Sequence, residues 1–245
     1  MSKTGKIILA LATLLAIATT LQAEAKRYEV KSGIVEYKIE GGGSLFGFST
    51  KTQGNAKLYF KEWGNTELKE INEKNVAMGQ TTTSHNIMKI DHGTVYNVNE
   101  EDKVIIKSDI AMLKQMDKEG KNISSMGKDM MKQMGGKKIG SEKVLGYLCE
   151  IWEIMGSKIW IYKGVVLKIE TNMMGIKHLE VATKAKFGVK IPDEKFKLPN
   201  YPVKTLNQMM EDEMKTQSSP KLTPEQMQQM QKMMESLGNM FQQAK

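Results

Sequence analysis

Residues 140–189, GSEKVLGYLCEIWEIMGSKIWIYKGVVLKIETNMMGIKHLEVATKAKFGV, constrain the fold more than any other stretch. They are dense in β-branched and aromatic residues and are cut by glycines at short intervals. Residues 144–155 read as a strand, Gly156-Ser157 as a turn, and 158–162 as the returning strand. Lys163-Gly164 and Met174-Gly175 then turn the chain into 165–171 and 176–186. Connections this short between runs of this composition predict an antiparallel meander. Alternation along the first strand puts Leu148, Glu150, Trp152 and Ile154 on one face and Tyr147, Cys149, Ile151 and Met155 on the other. In the third strand Val165, Leu167 and Ile169 oppose Val166, Lys168 and Glu170. One face of such a sheet is greasy and requires a cover.

The N-terminal residues point to an envelope location. Lys3 and Lys6 precede an apolar run at 7–21, and Ala23-Glu24-Ala25 offers small residues for cleavage. That is the pattern of a secretory signal peptide over 1–25, cut after Ala23 or Ala25. The run is shorter than the roughly 20 residues of a membrane-spanning helix. No cysteine follows it to accept a lipid. The expected location is therefore periplasmic or secreted, with no spanning segment in the mature chain. Cys149 is the only cysteine, so no intrachain disulfide forms, and its place in LGYLCEIW suits a buried small hydrophobe.

Net charge is +8, yet Arg27 is the only arginine among 36 basic residues. Bidentate recognition of phosphates and guanine edges leans on arginine, so nucleic acid is not an expected partner. The lysines are scattered, as on a solvated surface with weak attraction for anionic polymers.

Upstream, residues 28–40 read as a strand with a change of phase and a β-bulge near Ile34-Val35 beside Gly33. Gly41-Gly42-Gly43-Ser44 reads as a flexible connection. Strands follow at 56–63, 65–74, 80–90, 94–98 and 103–107, with a hairpin turn at Asp91-His92-Gly93. Between Ile110 and Met134 the period changes. Leu113, Met116, Gly120, Ile123, Gly127, Met130 and Met134 recur at spacings of three and four, the face of a helix. Ser108 or Asp109 would cap it and Gly135-Gly136 would stop it, giving a helical insertion over 109–135, as one long helix or as two short ones broken near Gly120 to Asn122. Residues 26–203 thus form one domain, followed by a linker and an amphipathic C-terminal helix over 204–245. That helix opens with Thr223-Pro224-Glu225-Gln226 and carries Met227, Met230, Met234, Leu237 and Phe241 as its stripe.

Catalytic chemistry finds little foothold. The three histidines are His85, His92 and His178, and no GxSxG elbow, phosphate-cradling glycine loop or HExxH helix is present. The chain is expected to be non-enzymatic and to need no cofactor. The 20 methionines cluster at Met126, Met130, Met131 and Met134 and again near the C-terminus. Thioethers are soft ligands for Cu(I), which makes Met126, Met130 and Met134 an alternative metal site. The same residues fall on apolar helical stripes, where methionine serves as an adaptable packing and binding surface.

GSEKVLGYLCEIWEI followed by IWIYKGVVLKIE resembles a family of uncharacterised secreted bacterial domains. The pattern is carried by Gly140, Val144, Gly146, Cys149, Trp152 and Trp160. That family is similar in outline to periplasmic lipoprotein carriers and outer-membrane lipoprotein receptors. The resemblance covers about residues 28–203. It implies a mainly β (α+β) fold, a curved antiparallel sheet or half-open β-barrel with helices across its mouth, and a binding scaffold in place of an enzyme. The carriers' arginine inside the barrel has no counterpart, because Arg27 lies at the mature N-terminus. The expected ligand is an acyl chain, lipid or lipoprotein-like molecule. Its cavity would be lined by Leu148, Trp152, Ile154, Trp160, Leu167 and Ile169, with Met116, Ile123 and Met130 from the helical insertion. An envelope protein docking on the C-terminal helix is a further expected partner.

Overall fold

The computed structural model describes residues 26–45, 48–109, 128–129, 131–173, 175–205, 207–209 and 211–212. Met116, Ile123, Met126, Met130, the signal segment and the C-terminal helix lie outside the described residues, as does most of the helical insertion. The chain divides into two units, residues 1–203 and 204–245. In the second, Lys204 Nζ pairs with the Asp212 carboxylate at 2.9 Å.

The first unit is one large, curved, unclosed antiparallel sheet. Its strands are β1 (Gly33–Leu45), β2 (Phe48–Lys61), β3 (Thr66–Ala77), β4 (Gln80–Asp91), β5 (Thr94–Asn99), β6 (Val104–Asp109), β7 (Lys137–Val144), β8 (Tyr147–Ile154), β9 (Ser157–Tyr162), β10 (Val165–Met173) and β11 (Ile176–Phe187). A three-residue β12 (Val203–Thr205) crosses the boundary between the units. The order from β6 runs 6-5-4-3-2-1-11-10-9-8-7, so two meanders join where β1 pairs with β11.

The turns explain the meanders. Met78-Gly79, His92-Gly93, Leu145-Gly146, Met155-Gly156 and Lys163-Gly164 all have positive φ at both positions. That is the type I′ geometry, whose twist matches the strands it joins. The Leu145-Gly146 turn corrects the sequence reading of 144–155 as one strand: it separates β7 from β8. The turn after β8 is Met155-Gly156, one residue earlier than expected.

Gly41-Gly42-Gly43-Ser44 is not a connection. It is the far end of β1, paired with Ile176–His178 of β11 on one side and Ser49–Thr52 of β2 on the other. A side chain has no room there: a Cβ on Gly43 would stand 2.0 Å from the Gly175 carbonyl oxygen, and one on Gly42 2.6 Å from that of Thr50. Glycine permits a close backbone approach that any other residue would block.

Residues 27–31 are bends in place of the start of the expected strand. Tyr28 turns its ring edge-on to Phe60 at 4.7 Å, and its N–H donates to the Trp63 carbonyl at 2.8 Å. The β1 bulge falls between Glu36 and Tyr37, against β11, not at Ile34-Val35. Those neighbours are both apolar because both faces are covered there. Val35 joins the main core, whereas Ile34 packs with Tyr59, Leu68, Ile191 and Phe196 under the segment after β11. Ser108 and Asp109 close strand β6, and Thr94 Oγ1 donates to Asp109 at 2.9 Å.

The main core gathers Val35, Tyr37, Ile39, Leu58, Phe60, Cys149, Trp160, Val165 and Leu167. At the end where β1 begins, Tyr147, Tyr162 and Phe187 stack within 4.8 to 5.2 Å of one another, and Phe187 reaches Phe60 at 6.2 Å. Tyr37 Oη–H crosses from β1 to donate to the Val166 carbonyl of β10 at 2.8 Å. Burial of this aromatic and aliphatic surface is the principal stabilising term.

Candidate functional site

Register builds the site. Glu40 of β1 pairs with Leu179 of β11, Leu179 with Glu170 of β10, Glu170 with Lys158 of β9, and Lys158 with Glu153 of β8. Direct cross-strand partners share a face, so these five residues form one row across five strands. The row lines a cavity of about 910 Å³ together with Gly41, Gly42, Gly156, Thr171, Asn172 and His178. The volume lies within the range of small-molecule sites.

Each wall has a local cause. The glycines at 41 and 42 leave bare backbone as floor, because the approach of β2 and β11 excludes side chains. The hairpin at Met155-Gly156 forms one lip, held by the Asn172 N–H to the Gly156 carbonyl at 3.4 Å. Ser157 and Thr171 share a hydroxyl hydrogen bond of 2.9 Å beneath it. Two carboxylates of the row are already paired along their own strands: Lys38 with Glu40 at 2.7 Å and Lys168 with Glu170 at 2.6 Å. Leu179 supplies an apolar patch, and Lys158, Lys177 and His178 supply donors. Such a lining can hold the polar end of an amphiphile. Its apolar part has Met155 and Met173 next along the chain, both exposed.

Of the residues expected to line a cavity, Trp160 and Leu167 share the main core, and Trp152 and Ile169 lie in one row through Ile159. Leu167 is fully buried and Trp160 nearly so, both within packed core, with Trp160 Nε1–H donating to Glu142 at 2.7 Å. Leu148 is 62% exposed. Trp152 is buried opposite Ile159, which in turn faces Ile169. Ile154 and Ile169 are half-buried. None of the six lines the 910 Å³ cavity. A bulge in β10 between Val166 and Lys168 shifts its register against β9. Met134 is described and exposed.

Glu150 marks a second polar cluster. Burial opposes its ionisation, but hydrogen bonds from Lys128, Lys138 and the Trp152 indole hold the carboxyl at about 2. Lys128 belongs to the short helical stretch before β7, which this ion pair ties to β8 at 3.0 Å. Cys149 is buried, and burial pushes its thiol up from the ordinary range. Among the described residues no group of His, Cys, Asp and Glu is arranged to hold a metal, and no helix is long and apolar enough to cross a membrane.

No family model matches the sequence, and no curated protein matches it. Solved structures similar to the chain include an uncharacterised conserved protein from Thermus thermophilus, at 9% identity over 69% of this chain and 90% of that one, TM-score 0.38. LprF from Mycobacterium bovis is another, at 8% identity over 71% and 91%, TM-score 0.32. A third is a putative outer membrane lipoprotein-sorting protein domain from Vibrio parahaemolyticus, at 11% identity over 69% and 91%, TM-score 0.20.

Proposed function

We propose that this chain is a non-enzymatic envelope binding protein for an acyl-bearing amphiphile, a lipid or lipoprotein-like ligand. The observation that carries the reading is the 910 Å³ cavity at one end of an unclosed, curved sheet. The ligand's polar group would face Lys158, Lys177 and His178, and its acyl chain would leave over Met155 and Met173. This places the ligand differently from the aromatic and aliphatic lining expected from sequence. Polar groups fix orientation in such sites, and methionine adapts to chains of different length.

Native mass spectrometry of the chain purified from its own envelope tests the reading. The expected result is a bound amphiphile, lost on replacing both Lys158 and Lys177 by glutamate in a variant with unchanged melting temperature. A ligand-free species, or a ligand retained in full by that variant, would overturn it.

A further inference from the structure

The row across the cavity alternates in sign, but its charges are not all matched within the protein. Glu40 and Glu170 each have a lysine of their own strand, Lys38 at 2.7 Å and Lys168 at 2.6 Å. Glu153 differs. It stands in register between Lys137 of β7 and Lys158 of β9, yet among the described residues neither ammonium pairs with it. The side chains of Lys158, Lys177 and His178 likewise make no ion pair or hydrogen bond among the described residues.

With the two internal pairs set aside, the cavity holds one carboxylate on β8 and two ammonium groups, on β9 and β11. Opposite charges facing each other across neighbouring strands ordinarily attract and stabilise the pair. Here Glu153 and Lys158 stay apart, and both line the same open space. A purely anionic headgroup would meet both lysines but be repelled by Glu153, and a purely cationic one would meet Glu153 and be repelled by the lysines. A group carrying both signs satisfies all three. In an ethanolamine phosphate, two carbons hold the ammonium and the phosphate roughly one strand spacing apart, about 4.8 Å.

We propose that the cavity selects an amphiphile with a zwitterionic ammonium and phosphate headgroup, a phosphatidylethanolamine or its lyso form, and that Glu153 sets this choice. Its carboxylate takes the ammonium, while Lys158 and Lys177 take the phosphate through charge-assisted hydrogen bonds. The proposal rests on the amphiphile-binding reading and names the ligand class for it.

The test is calorimetric titration of the full chain, freed of ligand. The probes are monomeric lysophosphatidylethanolamine, lysophosphatidylglycerol with the same acyl chain, and glycerophosphoethanolamine, which has no chain. Lysophosphatidylethanolamine should bind about fivefold tighter than lysophosphatidylglycerol, as one solvent-screened charge pair allows, and the ratio should shrink as salt rises. Glu153→Gln should bring the ratio close to one with the melting temperature unchanged, because Glu153 is exposed. Glu194→Gln alters net charge equally outside the cavity and should leave the ratio in place. A preference that survives Glu153→Gln, or is lost equally in Glu194→Gln, would refute the assignment. Equal binding of the two lysolipids by the unaltered protein refutes it too and leaves the carrier reading standing. Failure of both lysolipids to bind removes the carrier reading and this proposal together. Glycerophosphoethanolamine binding as tightly as its lysolipid would support the headgroup pairing and remove the acyl-carrier role.

Discussion

Lys69 of β3 and Glu180 of β11 meet at 2.6 Å although β2 and β1 lie between their strands. In a flat sheet three strand spacings alone would separate them by about 14 Å. Register adds an offset, since Lys69 is in line with Val35 through Leu58, while Glu180 pairs with Ile39. Only a bent sheet lets these two side chains touch. Lys69 also lies over the Tyr37 ring at 5.2 Å, so the pair crosses the core-facing side of β1.

Replacing Lys69 by methionine should therefore leave Glu180, 9% exposed, as a nearly buried carboxylate without its cation. The expected loss is about 2 kcal/mol by denaturant unfolding, less than for a fully buried pair because Lys69 is partly solvated. The double variant Lys69→Met, Glu180→Leu should recover most of it. A double variant no better than the single one would count against the pair as the cause.

Glu150 gives a pH signature. Its folded value of about 2 lies below the ordinary 4.5, so its ionised form is favoured by folding. Its contribution is complete above about pH 4.5 and disappears as pH falls towards 2. Glu150→Gln should lower the melting temperature at pH 7 and leave it unaltered near pH 2. It should also speed amide exchange in residues 131–133, whose neighbour Lys128 loses its tether.

Gly43→Ala sets a Cβ against the Gly175 carbonyl, where backbone would have to move. Overpacking of this kind costs about 1–3 kcal/mol, and the β1–β11 pairing should loosen in hydrogen exchange. Gly79→Ala meets no neighbour and carries only the strain of φ +76°, about 1 kcal/mol. Melting temperatures in the reverse order would contradict the close-approach account of the glycine run.

Leu145→Asn should raise stability by about 0.5 kcal/mol, since Leu145 has φ 52° in an exposed turn. Cys149 should resist a thiol reagent in the native state and react at once in denaturant.

The meanders were legible because glycine ends most of the hairpin turns and β-branched runs flank them, as at Lys163-Gly164. Where glycine had another task the reading failed. Gly41, Gly42 and Gly43 look like linker in sequence, yet they are strand residues chosen for the closeness of their neighbours. The Leu145-Gly146 turn was hidden because Val144 and Tyr147 continue the apolar run on both sides. The cavity was illegible for a different reason. Glu40, Glu153, Lys158 and Glu170 read singly as solvated strand residues, and only register, with its bulges, sets them in one row. Trp160 and Leu167 were recognisable as buried, but alternation alone does not separate a side chain that packs from one that lines a space.

An unclosed sheet keeps two margins, and one of them here is β7. Its outer backbone is a ready template on which a second chain could stack. Exposed Lys137, Lys138 and Lys143, with the irregularity between Lys138 and Gly140, spoil that template by charge and by shape. Edge-to-edge growth from this side of the sheet is thereby disfavoured.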